Sequence, residues 1–207
     1  MLKRISALAV AGGSALALMA TTPSFATAAA TFTVKPGGAV TASGSAQVKD
    51  TKTGTVAKCT SLKLSATLKK GSGLAGAKIG SITGPSTAFS GCSIGSIAVK
   101  VTAKGFPWHL NATSYSSGVT HGTITGIDLA ASATGCSAVL DGTAAGANNG
   151  RVAVTYTNST GVLKILGTGG NLHDWAVSGC LGLINNGDPE VASGSTKVSP
   201  TQTITSP

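Results

Sequence analysis

Short runs of alternating apolar and polar residues, separated by turn-forming clusters, constrain what this chain can fold into. Residues 62–69 alternate Leu and Ala with Lys, Ser and Thr, and a period of two recurs at 97–102 and 151–156. Such alternation places one face of a strand in a core and the other in water. The separating clusters, which are rich in Gly, Ser, Asn and Asp, are typical of turns; they are Gly71-Ser72-Gly73, Ser117-Gly118, Asp141-Gly142, Asn148-Asn149-Gly150, Ser159-Thr160-Gly161 and Asn185-Asn186-Gly187.

The composition supports strands and excludes other classes. Charged residues make up 10% and aromatic residues 4% of the 207 residues, and 29 residues are Gly. An ordinary soluble domain has about 25% charged residues. So little charge argues against a solvated disordered chain, and the near absence of Glu excludes a coiled coil.

We predict an all-β fold, in which an antiparallel meander of hairpins forms a sandwich or an open barrel. Ile127 and Leu129 share a parity that Ile124 does not, which predicts a β-bulge at the intervening Gly126. A weak internal repeat offers an alternative, a three-fold β-trefoil. Its markers are three Gly-Cys pairs spaced 44 residues apart, which end at Cys92, Cys136 and Cys180.

The N-terminal segment has the form of a secretory signal peptide. A short basic start precedes an apolar run from Ile5 to Ala20, and small residues suited to signal peptidase follow at Ala26 and Ala28. The run is shorter than the roughly 20 residues that span a bilayer. We expect residues 1–28 to be removed and the mature chain to have no transmembrane segment.

Three segments are predicted along the chain. The signal peptide at 1–28 ends near a mature N-terminus that we place between Thr27 and Thr31. Residues 29–55 form an N-terminal extension or the first strands, because Pro36 and two glycines interrupt this region. Residues 56–207 form a single β domain, a size at which one core is feasible.

The four cysteines, Cys59, Cys92, Cys136 and Cys180, predict two disulfides, because an even count in an exported chain is typical of bridges. Three pairings are possible. We favour Cys59–Cys92 with Cys136–Cys180, since shorter loops close at lower entropic cost. No metal site is predicted, because neither a Cys-x-x-Cys pair nor a Cys/His set with zinc-ligand spacing is present.

Several segments resemble a group of secreted, β-rich actinobacterial proteins whose function is unassigned. They are Gly105–Tyr115, Gly122–Ile127, Gly169–His173 and the C-terminal Val198–Pro207. The resemblance implies an exported β protein and no particular chemistry. In composition alone the chain is also similar to the apo-chromoproteins of the neocarzinostatin type, exported β-sandwiches that hold a small molecule; its cysteine spacings are far longer than theirs.

The acidic residues do not predict a catalytic site. The chain has six of them, which leaves little material for paired acid/base work. Asp141 precedes Gly142 and Asp188 precedes Pro189, contexts typical of turns. His173 and Asp174 are adjacent and would point to opposite faces of a strand, which works against a Ser-His-Asp arrangement. No catalytic residues are therefore assigned.

The tryptophans and histidines supply the candidate binding residues. His173 and Trp175 would share one face of a strand, and Trp108 is followed by His109, which would face the other way. An exposed Trp beside a His suits a sugar or another flat ligand. With so few aromatic residues, core packing is the alternative for both tryptophans. His173 with Trp175 is the better pair, and Trp108 is the third candidate.

The charge balance leads to the functional prediction. The formal net charge is +9, and the cations are scattered singly apart from Lys69-Lys70. Because aromatic residues are not interleaved with them, nucleic-acid binding is not indicated. We predict a secreted, non-enzymatic β-domain at the cell exterior, free or associated with the wall. It would need no cofactor and would bind a small molecule, an anionic wall polymer or a protein. A small secreted hydrolase is the alternative.

Overall fold

The computed structural model describes residues 30–207, so the predicted signal peptide lies outside the described residues. All regular elements in this range are strands, which confirms the all-β prediction. None of the described residues belongs to a helix that could cross a membrane. The strands are β1 (Thr31–Lys35), β2 (Gly38–Asp50), β3 (Val56–Leu68), β4 (Gly71–Ala75), β5 (Gly80–Ile94), β6 (Ile97–Lys104), β7 (Trp108–Ser116), β8 (Val119–Ala133), β9 (Cys136–Asp141), β10 (Gly150–Thr157), β11 (Val162–Ile165), β12 (Leu172–Ser178), β13 (Pro189–Ser199) and β14 (Thr203–Thr205).

Eight antiparallel barrel strands close into a circle. Five are continuous (β2, β3, β5, β8 and β13), and three are interrupted, so that β6 resumes as β7, β9 as β10 and β11 as β12. Each barrel strand pairs with its neighbours in the chain, and β13 pairs with β2 to complete the ring. The predicted meander is confirmed, with a closed barrel in place of an open one.

The Gly-Cys pairs do not mark a trefoil. Cys92 lies near the end of β5, Cys136 begins β9 and Cys180 follows β12, so all three are at one end of the barrel. Every second connection of an up-and-down barrel lies at the same end. Similar residues can therefore recur at regular intervals along the chain although the barrel does not contain three equivalent structural repeats.

The barrel interior is built from the in-facing residues that the alternation predicts. Leu62 and Leu64 of β3 and Val152 and Val154 of β10 are buried in one core cluster. The pairing of β8 with β10 shifts register at Gly126, which confirms the predicted bulge and explains the change of parity in β8.

A three-stranded sheet covers one end of the barrel, which we call the sheet-capped end. β1 lies between β14 and β4, and it leads into β2 at this end. Phe32 and Val34 of β1 are 1% and 0% exposed, so this strand belongs to the core. The Gly71-Ser72-Gly73 cluster, predicted as a turn, lies instead within β4, where it pairs with β1.

The opposite end, which we call the disulfide end, carries both bridges. Cys59 is bonded to Cys92 and Cys136 to Cys180, and no cysteine is free among the described residues. The predicted pairing is confirmed. Two disulfides indicate an oxidising, extracellular environment.

Candidate functional site

The acidic and basic side chains are separated in space. Five of the six carboxylates are buried, and only Asp188 is partly exposed. Two of the fifteen Lys and Arg residues, Lys3 and Arg4, precede residue 30, and the other thirteen are all exposed. The exposed charged groups of the described residues are therefore almost all basic, whereas five of the six carboxylates lie beneath the surface. The exposed cations are Lys35, Lys49, Lys52, Lys58, Lys63, Lys69, Lys70, Lys78, Lys100, Lys104, Arg151, Lys164 and Lys197.

A groove crosses the outside of the barrel over β6, β8 and β9, and we call it the outer groove. Its volume is about 420 Å³, and its floor is made of small side chains such as Ala130, Ser132 and Ser137. Lys100 and Lys104 of β6 line one side. The floor is low because the out-facing residues of β8 and β9 are mainly small, whereas their larger side chains face the core.

His173 and Trp175 lie together beside this groove. Both are partly buried and share the outer face of β12, and their ring centroids are 6.0 Å apart. Register places Trp175 opposite Val139, which lines the groove. The Trp175 Nε1 donates to the carbonyl oxygen of Gly142 at 3.3 Å, which anchors the indole.

The imidazole of His173 is held by the backbone through one nitrogen. Its Nδ1 lies 3.1 Å from the Gly142 carbonyl oxygen and 3.0 Å from that of Asn171. Since both partners are acceptors, we assign the proton to Nδ1, which leaves Nε2 as the nitrogen available to a ligand. Asp174 is 1% exposed and follows the buried Leu172 in parity, so it points inward, as the alternation predicts. The structure therefore does not pair His173 with Asp174.

Asp141 is a structural carboxylate. Its two oxygens accept hydrogen bonds from the backbone N–H groups of Gly142, Asn148, Asn149 and Gly150, at 2.6 to 3.0 Å. It thereby fixes the 142–149 loop that separates β9 from β10. The prediction of a turn residue is confirmed, and so is that for Asp188, which accepts from the Asn185 backbone and side chain.

Asp128 lies next to Asp141 on the outer side of β8 and pairs in register with Lys104. Burial and the nearby charge of Asp141 raise the pKa of Asp128, and Lys104 opposes that shift. Its Oδ1 is buried without a hydrogen-bond partner. When ionised, Asp128 lowers the positive potential that Lys104 creates at one edge of the outer groove.

Trp108 does not join the other two candidates. It is 3% exposed, its Nε1 donates to the Lys104 carbonyl oxygen at 2.7 Å, and its ring stacks on Phe106. These contacts make Trp108 a core residue, which is the alternative that the sequence left open.

Three further carboxylates meet inside the barrel at the disulfide end. We call Asp50, Asp174 and Glu190 the carboxylate cluster, and one oxygen atom of each lies within 4.8 Å of the others. They come from adjacent barrel strands, because Glu190 of β13 pairs with Asp50 of β2 and with Leu172 of β12. The Cys and His spacing predicted no metal site, and this set of oxygen ligands was not predicted.

Burial makes ionisation of the carboxyl groups of Asp174 and Glu190 unfavourable. Burial raises the pKa of Asp174 to about 6, although a hydrogen bond with Glu190 opposes this shift. Burial and the same hydrogen bond raise the pKa of Glu190 to about 10. In the absence of a cation, Glu190 is therefore protonated at neutral pH and donates to Asp174. The negative charges of Asp50 and Asp188 add to the upward shift at both residues.

One sequence signal could have revealed this cluster. Asp50 has the parity of Val40, Asp174 that of Leu172 and Glu190 that of Val198, and all three of these hydrophobic residues are buried. An acid at an in-facing position is unusual, because burying a charge without a partner is costly. The separation in sequence, from 50 to 190, concealed that the three positions meet.

The barrel encloses two small cavities. One lies towards the sheet-capped end among Leu64, Ile82 and Val154, and the other lies beside Asp174 and Glu190, and each has a volume of about 80 Å³. Pockets for drug-sized ligands measure about 300–1,000 Å³. Each of these two cavities has room for a few waters or an ion and is too small for a drug-sized ligand.

No protein-family model matches the chain, and no curated protein or solved structure is similar enough to be matched to it. The fold and the sites thus define the class by themselves: a disulfide-bonded, closed antiparallel β-barrel with a basic exterior and an acidic cluster inside one end.

Proposed function

We propose that this protein is an exported, non-enzymatic barrel that binds an anionic polymer of the cell exterior at the outer groove. The observation that carries the proposal is the separation of charge, with the described cations exposed and five carboxylates buried. A surface of one sign attracts a polymer of the other and raises its local concentration. The two disulfides are consistent with work outside the cytoplasm.

The outer groove offers a polymer more than general attraction. Lys100 and Lys104 lie on the same face of β6 and are four residues apart, which corresponds to about 13 Å along a strand. Two cations at that spacing suit a chain with regularly repeated anionic groups. The floor of Ala and Ser side chains lets such a chain lie close to the backbone.

Trp175 and His173 suit the uncharged part of such a polymer. An indole presents a flat apolar surface on which a sugar ring can stack, and the free Nε2 of His173 can accept a hydrogen bond from a hydroxyl group. Both residues lie on the outer face of β12 beside the groove. A glycosyl or polyol phosphate polymer of the wall combines these two chemistries.

Titration with a soluble polyol-phosphate polymer, followed by calorimetry, tests this proposal. The K100E/K104E double variant should weaken binding by about tenfold, because an exposed ion pair contributes up to about 1 kcal/mol and 1.4 kcal/mol is one factor of ten. The matched control is K63E/K197E, which makes the same charge change on β3 and β13, on the other side of the barrel. We expect its loss to be less than about threefold, because it removes only general attraction.

The comparison of the two double variants decides the outcome. Equal losses would mean that the whole basic surface attracts polymer without a site, and unchanged binding by K100E/K104E would refute the outer groove. W175A and H173A should each weaken binding of a sugar-bearing polymer, and H173A should leave the melting temperature nearly unchanged.

Two further measurements address the alternatives. Duplex DNA of equal charge density should bind more weakly than a glycosylated polyol phosphate, since DNA carries no pendant sugar ring that could stack on Trp175. Ester, peptide and glycoside substrates should not be turned over. Turnover that is lost in H173A would replace the proposal with a hydrolase.

A further inference from the structure

The carboxylate cluster at the disulfide end is a second site, independent of the outer groove. Asp50 and Asp174 are 0% and 1% exposed and Glu190 is 8% exposed, so all three are more than nine-tenths buried. One oxygen atom of each lies within 4.8 Å of the others. We propose that this cluster binds one divalent cation, with calcium preferred.

Three buried carboxylate oxygens of the cluster have no hydrogen-bond donor. Asp50 Oδ2, Asp174 Oδ2 and Glu190 Oε2 are buried and receive no hydrogen bond from a protein donor. The other oxygen of Asp50 is already occupied, because its Oδ1 accepts from the backbone N–H groups of Lys52 and Thr53 at 2.7 and 2.9 Å. That turn fixes the Asp50 side chain and leaves Oδ2 for the cluster.

The described part of the protein offers the cluster no buried positive partner. All thirteen Lys and Arg side chains after residue 29 are exposed. His173 lies on the outer face of β12 and makes no hydrogen bond with Asp174, although its positive charge would lower the pKa of that carboxyl. Buried carboxylates require protons, a paired cation or a metal ion. A carboxyl–carboxyl hydrogen bond can link Asp174 with Glu190, and the Oδ2 of Asp50 still has no protein donor.

The ligand chemistry favours calcium. A set made only of carboxylate oxygens suits hard cations such as Ca²⁺ and Mg²⁺. Oxygens on opposite sides of Ca²⁺ lie about 4.6–5.2 Å apart, and those on Mg²⁺ about 4.0–4.2 Å, because the metal–oxygen bonds are 2.3–2.6 Å and 2.0–2.1 Å. Separations of up to 4.8 Å fall within the range that ligands of one Ca²⁺ span, whereas the upper part of that range exceeds what Mg²⁺ allows.

The adjoining cavity supplies what the three carboxylates lack. Ca²⁺ takes six to eight oxygens, and the cavity of about 80 Å³ beside Asp174 and Glu190 has room for two or three waters at about 30 Å³ each. Ile184, from the segment between Cys180 and β13, lines this cavity. The bound ion would tie β2, β12 and β13 together where they reach the disulfide end.

Calorimetric titration of the EDTA-treated, disulfide-intact protein with CaCl₂, at constant ionic strength and neutral pH, tests this proposal. We expect one Ca²⁺ per chain with a Kd at or below about 1 mM, the range of extracellular calcium modules. The melting temperature should rise with CaCl₂ until the site is saturated, and MgCl₂ should bind more weakly.

Three isosteric variants locate the ion. D174N and E190Q should each lose the saturable binding and the rise in melting temperature. D128N is the matched control, because Asp128 is also a buried carboxylate with an unpartnered oxygen but lies outside the cluster. It should bind calcium as the wild-type protein does. Circular dichroism of each variant confirms that it is folded.

Two results would overturn the proposal. If wild-type protein shows no saturable binding up to about 10 mM CaCl₂, ten times the weakest Kd expected of such modules, protons alone stabilise the cluster. If D174N and E190Q bind calcium as D128N does, the ion binds elsewhere. Neither result affects the outer groove, because polymer binding there is measured in a separate titration to which no calcium is added.

Discussion

Gln202 at the sheet-capped end and the carboxylate cluster at the disulfide end are buried in opposite ways. At the sheet-capped end, Gln202 is 1% exposed and all of its polar groups are used. Its Oε1 accepts from the Gly37 N–H, its Nε2 donates to the Pro200 carbonyl oxygen, and its backbone N–H and carbonyl both bond the Tyr156 hydroxyl. At the disulfide end, three carboxylates each keep an oxygen without a protein donor.

This difference distinguishes buried polar groups that stabilise the fold from buried polar groups that are available to a ligand. A buried polar group whose partners are all within the protein contributes to a unique fold, whereas one without a partner costs about 1–3 kcal/mol. The chain can retain such groups only if something else offsets the cost. A proton and a calcium ion are the two species that the carboxylate cluster can take up, and the sheet-capped end needs neither.

The largest effect should come from opening the sheet-capped end. Phe32→Ala removes a side chain that is 1% exposed and belongs to the core cluster, so the free energy of unfolding should fall by about 3–5 kcal/mol. Denaturant unfolding measures the change, and Leu181→Ala, at a residue that is 98% exposed, is the control. A loss below about 1 kcal/mol would show that β1 is not part of the cooperative core.

The next effect concerns the covalent closure of the disulfide end. Replacing both Cys136 and Cys180 by Ala opens a bridge that spans 44 residues, and the free energy of unfolding should fall by about 3–4 kcal/mol. Because the segment after Cys180 carries Ile184 next to the cluster, this variant should also bind calcium more weakly. Unchanged calcium binding would uncouple the bridge from the cluster.

A smaller effect is expected where the polar groups are fully paired. Tyr156→Phe leaves the backbone N–H and carbonyl of Gln202 without their partner, and the free energy of unfolding should fall by about 2 kcal/mol. The loss should be the same in CaCl₂ and in EDTA, because this site is at the sheet-capped end. A loss that depends on calcium would contradict the separation of the two ends.

The smallest effect should be a gain at the disulfide end. In EDTA at pH 7, Glu190→Gln should raise the free energy of unfolding by about 1 kcal/mol, because a neutral amide can donate to Asp174 without first binding a proton. In CaCl₂ the sign should reverse, since the variant lacks a ligand for the ion. Unfolding curves recorded under both conditions decide between these expectations, and a gain in both would argue against the ion.

The same residue sets a pH dependence in EDTA. The pKa of Glu190 is raised to about 10 in the folded protein, against about 4.3 in an unfolded chain. The folded state therefore holds the proton over this interval, and the contribution of Glu190 to stability is full below about pH 4 and declines as the pH rises towards 10. Asp174, raised to about 6, adds to the decline between about pH 4 and 6. Glu190→Gln should flatten the curve above pH 6.

Local patterns predicted much of this molecule. Alternation at 62–69 predicted an in-facing row that includes Leu62 and Leu64, and the change of parity at Gly126 predicted the bulge. The shared parity of His173 and Trp175 predicted a common outer face. These inferences held because each depends only on residues a few positions apart in an extended chain.

Features that depend on distant segments were not predicted. The chemistry of Asp50 and Glu190 was missed, since neither residue has a partner near it in the chain. The closed ring was missed as well. Closure depends on β13 lying against β2, where a side chain at Gly44 would place its Cβ only 1.9 Å from the Ser195 carbonyl oxygen. No local pattern encodes that approach.

The sequence by itself determined the all-β class, the in-facing and out-facing residues of its regularly alternating strands, a preference for the two local disulfides and the net positive charge. Only the tertiary structure decided that the ring closes, that Trp108 is core while Trp175 borders a groove, and that three acids share one buried space. The physical reason is how far apart in the sequence the residues that determine each feature lie. A strand's period is set by neighbouring residues, whereas the meeting of residues 50, 174 and 190 follows from the curvature and closure of the whole sheet.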